Sequence, residues 1–314
     1  MYDESLKLKV GKLYYQKGLS KLEISRKLKI SRFIITKLLN KAIEDGSIRI
    51  IINEPDKTFL DLENLLEDKF RMCRAIVVET GYNYDETRVN IGKAAAQCLT
   101  NMISDRDIIG VAWGTTIYEM LNFLAPFDEK KNIKVIQTAG GLNQVSVSYD
   151  SIKICRQLGE ILKAEVYQLY APAIFDNEET KKLMLQETQI KDTIDMYKEI
   201  NITLTGIGSV LPEPSNILYK EGFINKDDFK VILESNPVGN INAYFFNKNG
   251  KKCISPIDNK TLDMGIDQYK KIRYVIGLAG GKPKAPAIYA ALKGKIINTI
   301  ITDEECARAI INMD

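Results

Sequence analysis

The chain has 314 residues, 45% of them apolar and 27% charged, the make-up of an ordinary soluble globular protein with room for two domains. It contains no histidine, which removes the commonest general base and most metal sites. Its five scattered cysteines form no C-x-x-C pair, which argues against zinc and for reduced thiols in a cytoplasm. The net charge of +3 is uneven: residues 1–54 hold twelve Lys/Arg against six Asp/Glu, while the remainder is slightly acidic. A small basic domain joined to a mildly acidic larger one predicts that the first meets a polyanion and the second does not. No run of about 18 apolar residues predicts a membrane span, and the acidic start, without an apolar core segment, does not read as an export signal.

In the first 54 residues Leu6, Val10, Leu13 and Tyr14 have helical spacing, ended by Gly18. Ser20-Lys-Leu-Glu23 is a capping box that predicts a second helix from Lys21, carrying Ile24 and Leu28 inward. After the tight connection Lys29-Ile30, Ser31 can cap a third helix with Ile34, Ile35, Leu38, Leu39, Ala42 and Ile43 as its apolar stripe, stopped by Gly46. Residues 48–52 read as a short strand, a possible wing. Two short helices with a tight turn, the second exposed and basic, make a helix-turn-helix whose second helix lies in the major groove. Ser31, Arg32, Phe33, Thr36 and Lys37 occupy its base-facing beginning. Arg32 is the candidate for bidentate contact with guanine, and Lys37 can meet a base or a phosphate. Lys21, Arg26, Lys27 and Lys41 are placed for phosphates.

Glu54-Pro55-Asp56 marks a boundary, giving domains of 1–54 and 55–314. Asp56 can cap a helix bearing Phe59, Leu62, Leu65, Leu66 and Phe70, a stripe suited to core packing or to a second subunit. From Arg74 onward β-type and helical runs alternate. Strands are predicted at 75–79, 108–112, 133–137, 165–169, 202–205, 239–246, 272–278 and 296–301. Helices are predicted at 87–103, 116–124, 151–162, 178–189 and 287–292. Asn249-Gly250 reads as a hairpin-type turn, and Thr302-Asp-Glu-Glu305 as a capping box for a last helix. Such alternation implies a largely parallel sheet with helices on both faces, whose ligands bind beyond the carboxyl ends of the strands.

Four strands end in small or polar loops, at 113–116, 138–144, 206–209 and 279–284, more such chemistry at one sheet edge than packing needs. The first, Trp113-Gly114-Thr115-Thr116, passes straight into a helix, so free backbone N–H groups and two hydroxyls can face an anion. Nucleotide signatures fail. Gly281-Lys282 is followed by Pro283, with Ile276 where the phosphate loop requires glycine, and Gly206-Ile-Gly208-Ser209 lacks a third glycine. A small phosphorylated ligand fits better, with Lys282 and Lys284 as cations and Asn143, Gln144 and Asp303 as acceptors for sugar hydroxyls.

In order along the chain, these stretches resemble the SorC family of sugar-binding transcriptional regulators. The likeness rests on the helix-turn-helix at 19–52, Gly110-Val-Ala-Trp113-Gly114-Thr115-Thr116, Val135-Ile-Gln-Thr-Ala-Gly140-Gly141, Tyr170-Ala-Pro172-Ala and Gly206-Ile-Gly208-Ser209. Its most specific part is Val275-Ile-Gly-Leu-Ala-Gly280-Gly281-Lys-Pro-Lys284, continued by Ile301-Thr302-Asp303-Glu304. The resemblance covers essentially the whole chain. It implies a winged helix-turn-helix domain plus a Rossmann-like, doubly wound α/β effector domain similar to ribose-5-phosphate isomerase and glucosamine-6-phosphate deaminase, used for sensing. It further implies a phosphorylated sugar or polyol as effector, held by Gly114, Thr115, Thr116, Gly140, Gly141, Asn143, Gln144, Gly208, Ser209, Gly281, Lys282, Lys284 and Asp303. Homodimers or homotetramers on palindromic operators, with no cofactor and no metal, belong to the same expectation. Some family members carry a lysine just before the paired glycines, able to form an imine with an aldehyde sugar. Here Thr138 and Ala139 stand there, so binding is expected to be noncovalent. The alternative is a sugar-phosphate isomerase or deaminase with a DNA-binding appendage, against which the lack of histidine and of paired carboxylates counts.

Overall fold

The computed structural model describes residues 4–50, 58–126, 130–142, 149–210 and 217–314. The chain divides into two compact units, residues 1–56 and 57–314.

The first unit is helical. α1 (Glu4–Gly11) runs on as a π-helical turn over Lys12–Gln16, followed by α2 (Lys21–Leu28) and α3 (Arg32–Glu44). Val10, Leu13, Ile24, Ile35, Leu38 and Leu39 form its core. Both arms of the predicted capping box are made: Ser20 Oγ accepts the Glu23 N–H, and the Glu23 carboxylate accepts the Ser20 N–H at 2.8 Å. The turn to α3 passes through Lys29 in the left-handed region (φ 54°) and is braced by the Ser25 hydroxyl on the Ile30 carbonyl, 2.7 Å. Ser31 Oγ then caps α3 by accepting the Ile34 N–H. Buried Lys7 ties α1 to the end of α3 through Asp45, whose carboxyl the ammonium holds down to about 2. The predicted strand at 48–52 is corrected over its described part. Residues 48–50 are not extended into a ladder, because Ile48 folds back on α3, donating its N–H to the Ala42 carbonyl and laying its side chain on Gly11. Ile51 and Ile52 lie outside the described residues.

The second unit opens with α4 (Leu60–Phe70), β1 (Arg74–Val78), α5 (Tyr84–Met102), β2 (Ile108–Val111), α6 (Thr115–Leu121), β3 (Lys134–Gln137), α7 (Ser151–Leu162) and β4 (Glu165–Tyr167). α8 (Glu178–Met184), α9 (Thr188–Asp195), β5 (Ile202–Gly206), β6 (Gly208–Ser209), α10 (Ile217–Lys220), α11 (Lys226–Glu234), β7 (Pro237–Ile241) and β8 (Tyr244–Asn247) follow. α12 (Ile266–Tyr269), β9 (Tyr274–Leu278), α13 (Ala285–Lys293), β10 (Thr299–Asp303) and α14 (Glu304–Ile311) complete it. Seven strands form one parallel sheet in the order β1-β10-β9-β5-β2-β3-β4, and β6-β7-β8 form a small antiparallel sheet.

Alternate residues of the large sheet face opposite cores. Val275 and Ile300 pack with α4, α13 and α14, while Ile276 and Ile301 pack with α5, α6 and α7. The unit is therefore doubly wound, and both sides of each central strand are apolar, as a buried parallel sheet requires. Three predicted elements change. Residues 239–246 are the two arms of a hairpin, β7 and β8, turned at Asn242 (φ 50°). The helix predicted at 178–189 breaks between α8 and α9. The cap of α14 is Asp303, not Thr302: the Asp303 carboxylate accepts the Cys306 N–H.

Candidate functional site

The chain leaves β2 toward β3 on one side of the sheet and leaves β5 toward β9 on the other, so the winding reverses between β2 and β5. At such a reversal the loops beyond the strand ends diverge and open a crevice. A cavity of about 540 Å³ lies at this place.

Each wall has its own origin. The exit of β2 and the start of α6 supply Trp113, Gly114, Thr115 and Thr116; the exit of β5 supplies Gly206, Ile207, Gly208 and Ser209. Leu278 ends β9, Gly280, Pro283 and Lys284 come from the segment after it, and Tyr84 and Arg88 from the first turns of α5. Tyr149, Lys220, Glu221, Asn240 and Asn242 complete the lining. The backbone sets the shape. A Cβ on Gly206 would meet nothing within 4 Å, so this strand end faces open space, whereas one on Gly208 would lie 2.2 Å from Asn240 Oδ1. Gly208 thus lets β6 approach the Asn240 amide.

The site is basic: Arg88, Lys220 and Lys284 face one carboxylate, Glu221. Lys284 holds its ammonium 5.3 Å from the Tyr84 ring centroid, and Arg88 is steadied by Asp85 at 3.0 Å and Glu119 at 4.0 Å. α6 begins at Thr115, so the N–H groups of its first turn have no carbonyl partner within the helix. Asn240 and Asn242 are buried and preorganised. Asn240 Nδ2 donates to the Asn242 carbonyl at 2.7 Å, and Asn242 Nδ2 donates to the Tyr269 hydroxyl at 2.9 Å. Cations, amide donors without a partner in their own helix and fixed side-chain amides make a receptor for a small polar anion. Among the described residues no cluster of metal-ligating side chains occurs.

Of the residues expected from sequence, the cavity brings together Gly114, Thr115, Thr116, Gly208, Ser209 and Lys284. Five others are not part of its lining. Gly140 and Gly141 spend their N–H groups on the Leu262 and Ala171 carbonyls, and a Cβ on Gly140 would strike the Pro172 carbonyl at 2.4 Å. They are close-packing positions, knitted in place by the buried Gln137 amide, which donates to the Ala139 carbonyl and accepts the Leu169 N–H. Asp303 is fully buried and consumed internally, accepting from the Thr80 hydroxyl and from the N–H groups of Gly281 and Cys306. That contact occupies the Gly281 N–H, and Lys282 is exposed. Asn143 and Gln144 lie outside the described residues. Sequence reading missed Tyr84, Arg88, Lys220, Glu221, Asn240 and Asn242. The first two were accessible to the rule already applied to α6, since every helix that follows a parallel strand starts at the same sheet edge.

In the first unit, the exposed side of α3 carries Arg32, Phe33 and Lys37, with Arg26 and Lys27 exposed on α2. Ser31 and Thr36 turn their hydroxyls to the backbone, and Lys21 is half-buried.

Residues 55–312 match a protein family described as "Putative sugar-binding domain". Over 310 residues the chain is 30% identical to the deoxyribonucleoside regulator of Bacillus subtilis (strain 168), covering 98% of each protein. It is 28% identical over 311 residues to the transcriptional regulator LsrR of Enterobacter sp. (strain 638), covering 98% of this chain and 93% of that one. The crystal structure of the full-length sorbitol operon regulator SorC from Klebsiella pneumoniae superposes with a TM-score of 0.77 at 25% identity, over 99% of this chain and 100% of that one. The chain belongs to the SorC family of sugar-binding transcriptional regulators. Like its SorC-family relatives it is a ligand-responsive transcriptional regulator, and the enzyme alternative falls away. The fold expected from the resemblance, a helix-turn-helix followed by a doubly wound α/β domain, is the family's. No helix among the described residues is long and apolar enough to cross a membrane.

Proposed function

We propose that residues 55–314 sense a phosphorylated sugar or polyol in the cavity between β2 and β5, and that residues 1–54 bind a palindromic operator of a carbohydrate-utilisation operon as part of a cytoplasmic homodimer or homotetramer. The cavity at the winding reversal carries this reading: Lys284 and Lys220 line it with Glu221, and Arg88, already held by Asp85 and Glu119, completes a cationic side suited to an anionic ligand more than to a neutral sugar. Thr115, Thr116 and Lys284 seat the phosphate, with Arg88 and Gly114 beside them. Ser209, Asn240 and Asn242 receive the hydroxyls. Arg32 and Lys37 contact bases or phosphates, and Lys21 supports the backbone contact. The effector represses or induces only through unequal affinity for the DNA-competent and DNA-released arrangements.

Operator retardation titrated with a panel of sugar and polyol phosphates, beside their unphosphorylated parents, tests the scheme. One phosphorylated member is expected to shift operator affinity, and its parent sugar to act only at much higher concentration. Equal potency of the two would remove the phosphate from the scheme, and no response to any member would remove the sensing role.

A further inference from the structure

The solvent face of α3 is chemically uneven. Ile35, Leu38, Leu39 and Ala42 turn inward. At 3.6 residues per turn, Phe33 then stands at the middle of the opposite side, with Lys37 about one turn further on. Phe33 is 79% exposed. Two neutral hydroxyls near it each spend one bond on the backbone. Ser31 Oγ accepts the Ile34 N–H at 3.3 Å, and the Thr36 hydroxyl donates to the Arg32 carbonyl at 3.0 Å. At the middle of that face stands one aromatic ring, flanked by the charged Arg32 and Lys37. An aromatic ring offers no donor or acceptor to a base edge. The one apolar feature in the major groove is the C5 methyl group of thymine. The surrounding cations, Arg26, Lys27, Arg32, Lys37 and Lys41, complement phosphate rather than an apolar protein surface and commit this face to DNA.

We infer that Phe33 is a specificity-determining residue that packs on the methyl group of a thymine in each operator half-site. The inference rests on the reading of the first unit as the DNA-binding domain.

The test starts from duplexes selected by the full-length protein out of a random-sequence pool. Each thymine of the selected site is replaced in turn by deoxyuridine, which removes the methyl group alone, and binding is followed by fluorescence anisotropy. One thymine per half-site is expected to show a loss of about fourfold in the wild-type protein, the worth of one buried methyl group. Phe33→Ala should lose a similar factor on the parent duplex and lose nothing more on the deoxyuridine duplex, while binding random-sequence DNA as the wild type does. Phe33→Leu, which keeps apolar bulk, should retain part of the thymine preference. It serves as the second variant should Phe33→Ala melt early. Equal deoxyuridine sensitivity in wild type and both variants, or none in wild type, would overturn the assignment while leaving selective DNA binding intact. Failure of the pool to enrich any duplex would instead overturn the DNA-binding reading itself.

Discussion

Lys284 and Asp303 began as similar candidates, charged residues near strand ends, and the structure separates them by burial. Lys284 is half-exposed beside Tyr84 and faces the cavity, so Lys284→Ala is expected to weaken the effector by about ten- to hundredfold, the worth of a charge-assisted hydrogen bond. Its melting temperature should stay at the wild-type value; calorimetric titration and a thermal scan check the two halves. Thr116→Ala should likewise blunt the effector response and leave operator affinity unchanged. Asp303→Ala should do the reverse. It strands the Thr80 hydroxyl and two backbone N–H groups, at a cost of about 2–4 kcal/mol in denaturant unfolding. A second carboxyl, Asp263, has one buried oxygen without a partner, and burial lifts its pKa to about 7 against the Gly265 and Ala243 N–H groups and the more distant Lys181 and Lys252. Between pH 4 and 7 the folded chain holds a proton there that the unfolded chain has released. Stability should therefore fall as pH rises through that window, by about 1 kcal/mol per unit, and Asp263→Asn should flatten the slope. Urea titrations at several pH values read this directly.

At the level of elements, legibility followed local chemistry. The helix starts at Lys21 and Arg32 were readable because each cap lies within three residues of the N–H it serves. Ser31→Ala should accordingly cost the first unit about 1 kcal/mol and weaken operator binding, and Ser31→Asp, also a good cap, should recover the stability without the binding. The strands were readable because a parallel sheet needs continuous apolar runs. Loops that close on distant partners were not. Gly140-Gly141 looks like Gly114-Thr115 in sequence, and only the Leu262 and Ala171 carbonyls, far along the chain, show that its amides are already used. The strand expected from residue 48 gave way over its described part for a related reason: Ile48 has strand-like composition, but Gly11 leaves a hollow that takes its side chain. The stretch 239–246 reads as one strand in sequence, and Asn240 and Asn242 reach the site only because it folds into the hairpin of β7 and β8 at Asn242.

For the molecule as a whole, two compact units predict two calorimetric transitions. Effector at a hundredfold above its dissociation constant should stabilise residues 57–314 by about 2.7 kcal/mol and raise their transition alone. Movement of the first unit's transition by the same amount would mean that the two melt as one.

The pairing of β1 with β10 has a consequence for synthesis of the protein. The Glu305 N–H reaches the Thr80 hydroxyl across 225 residues of chain, and Val78 lies opposite Asp303 in the sheet. A ribosome must deliver the 225 residues from Thr80 to Glu305 before the edge strand finds its neighbour, whereas the first unit closes on contacts within some fifty residues. Nascent chains therefore display a folded DNA-reading head long before they possess a sensor. Messages truncated ahead of β10 should yield a protease-resistant N-terminal fragment and a degraded remainder, a pattern that pulse-labelled, stalled translation products would reveal.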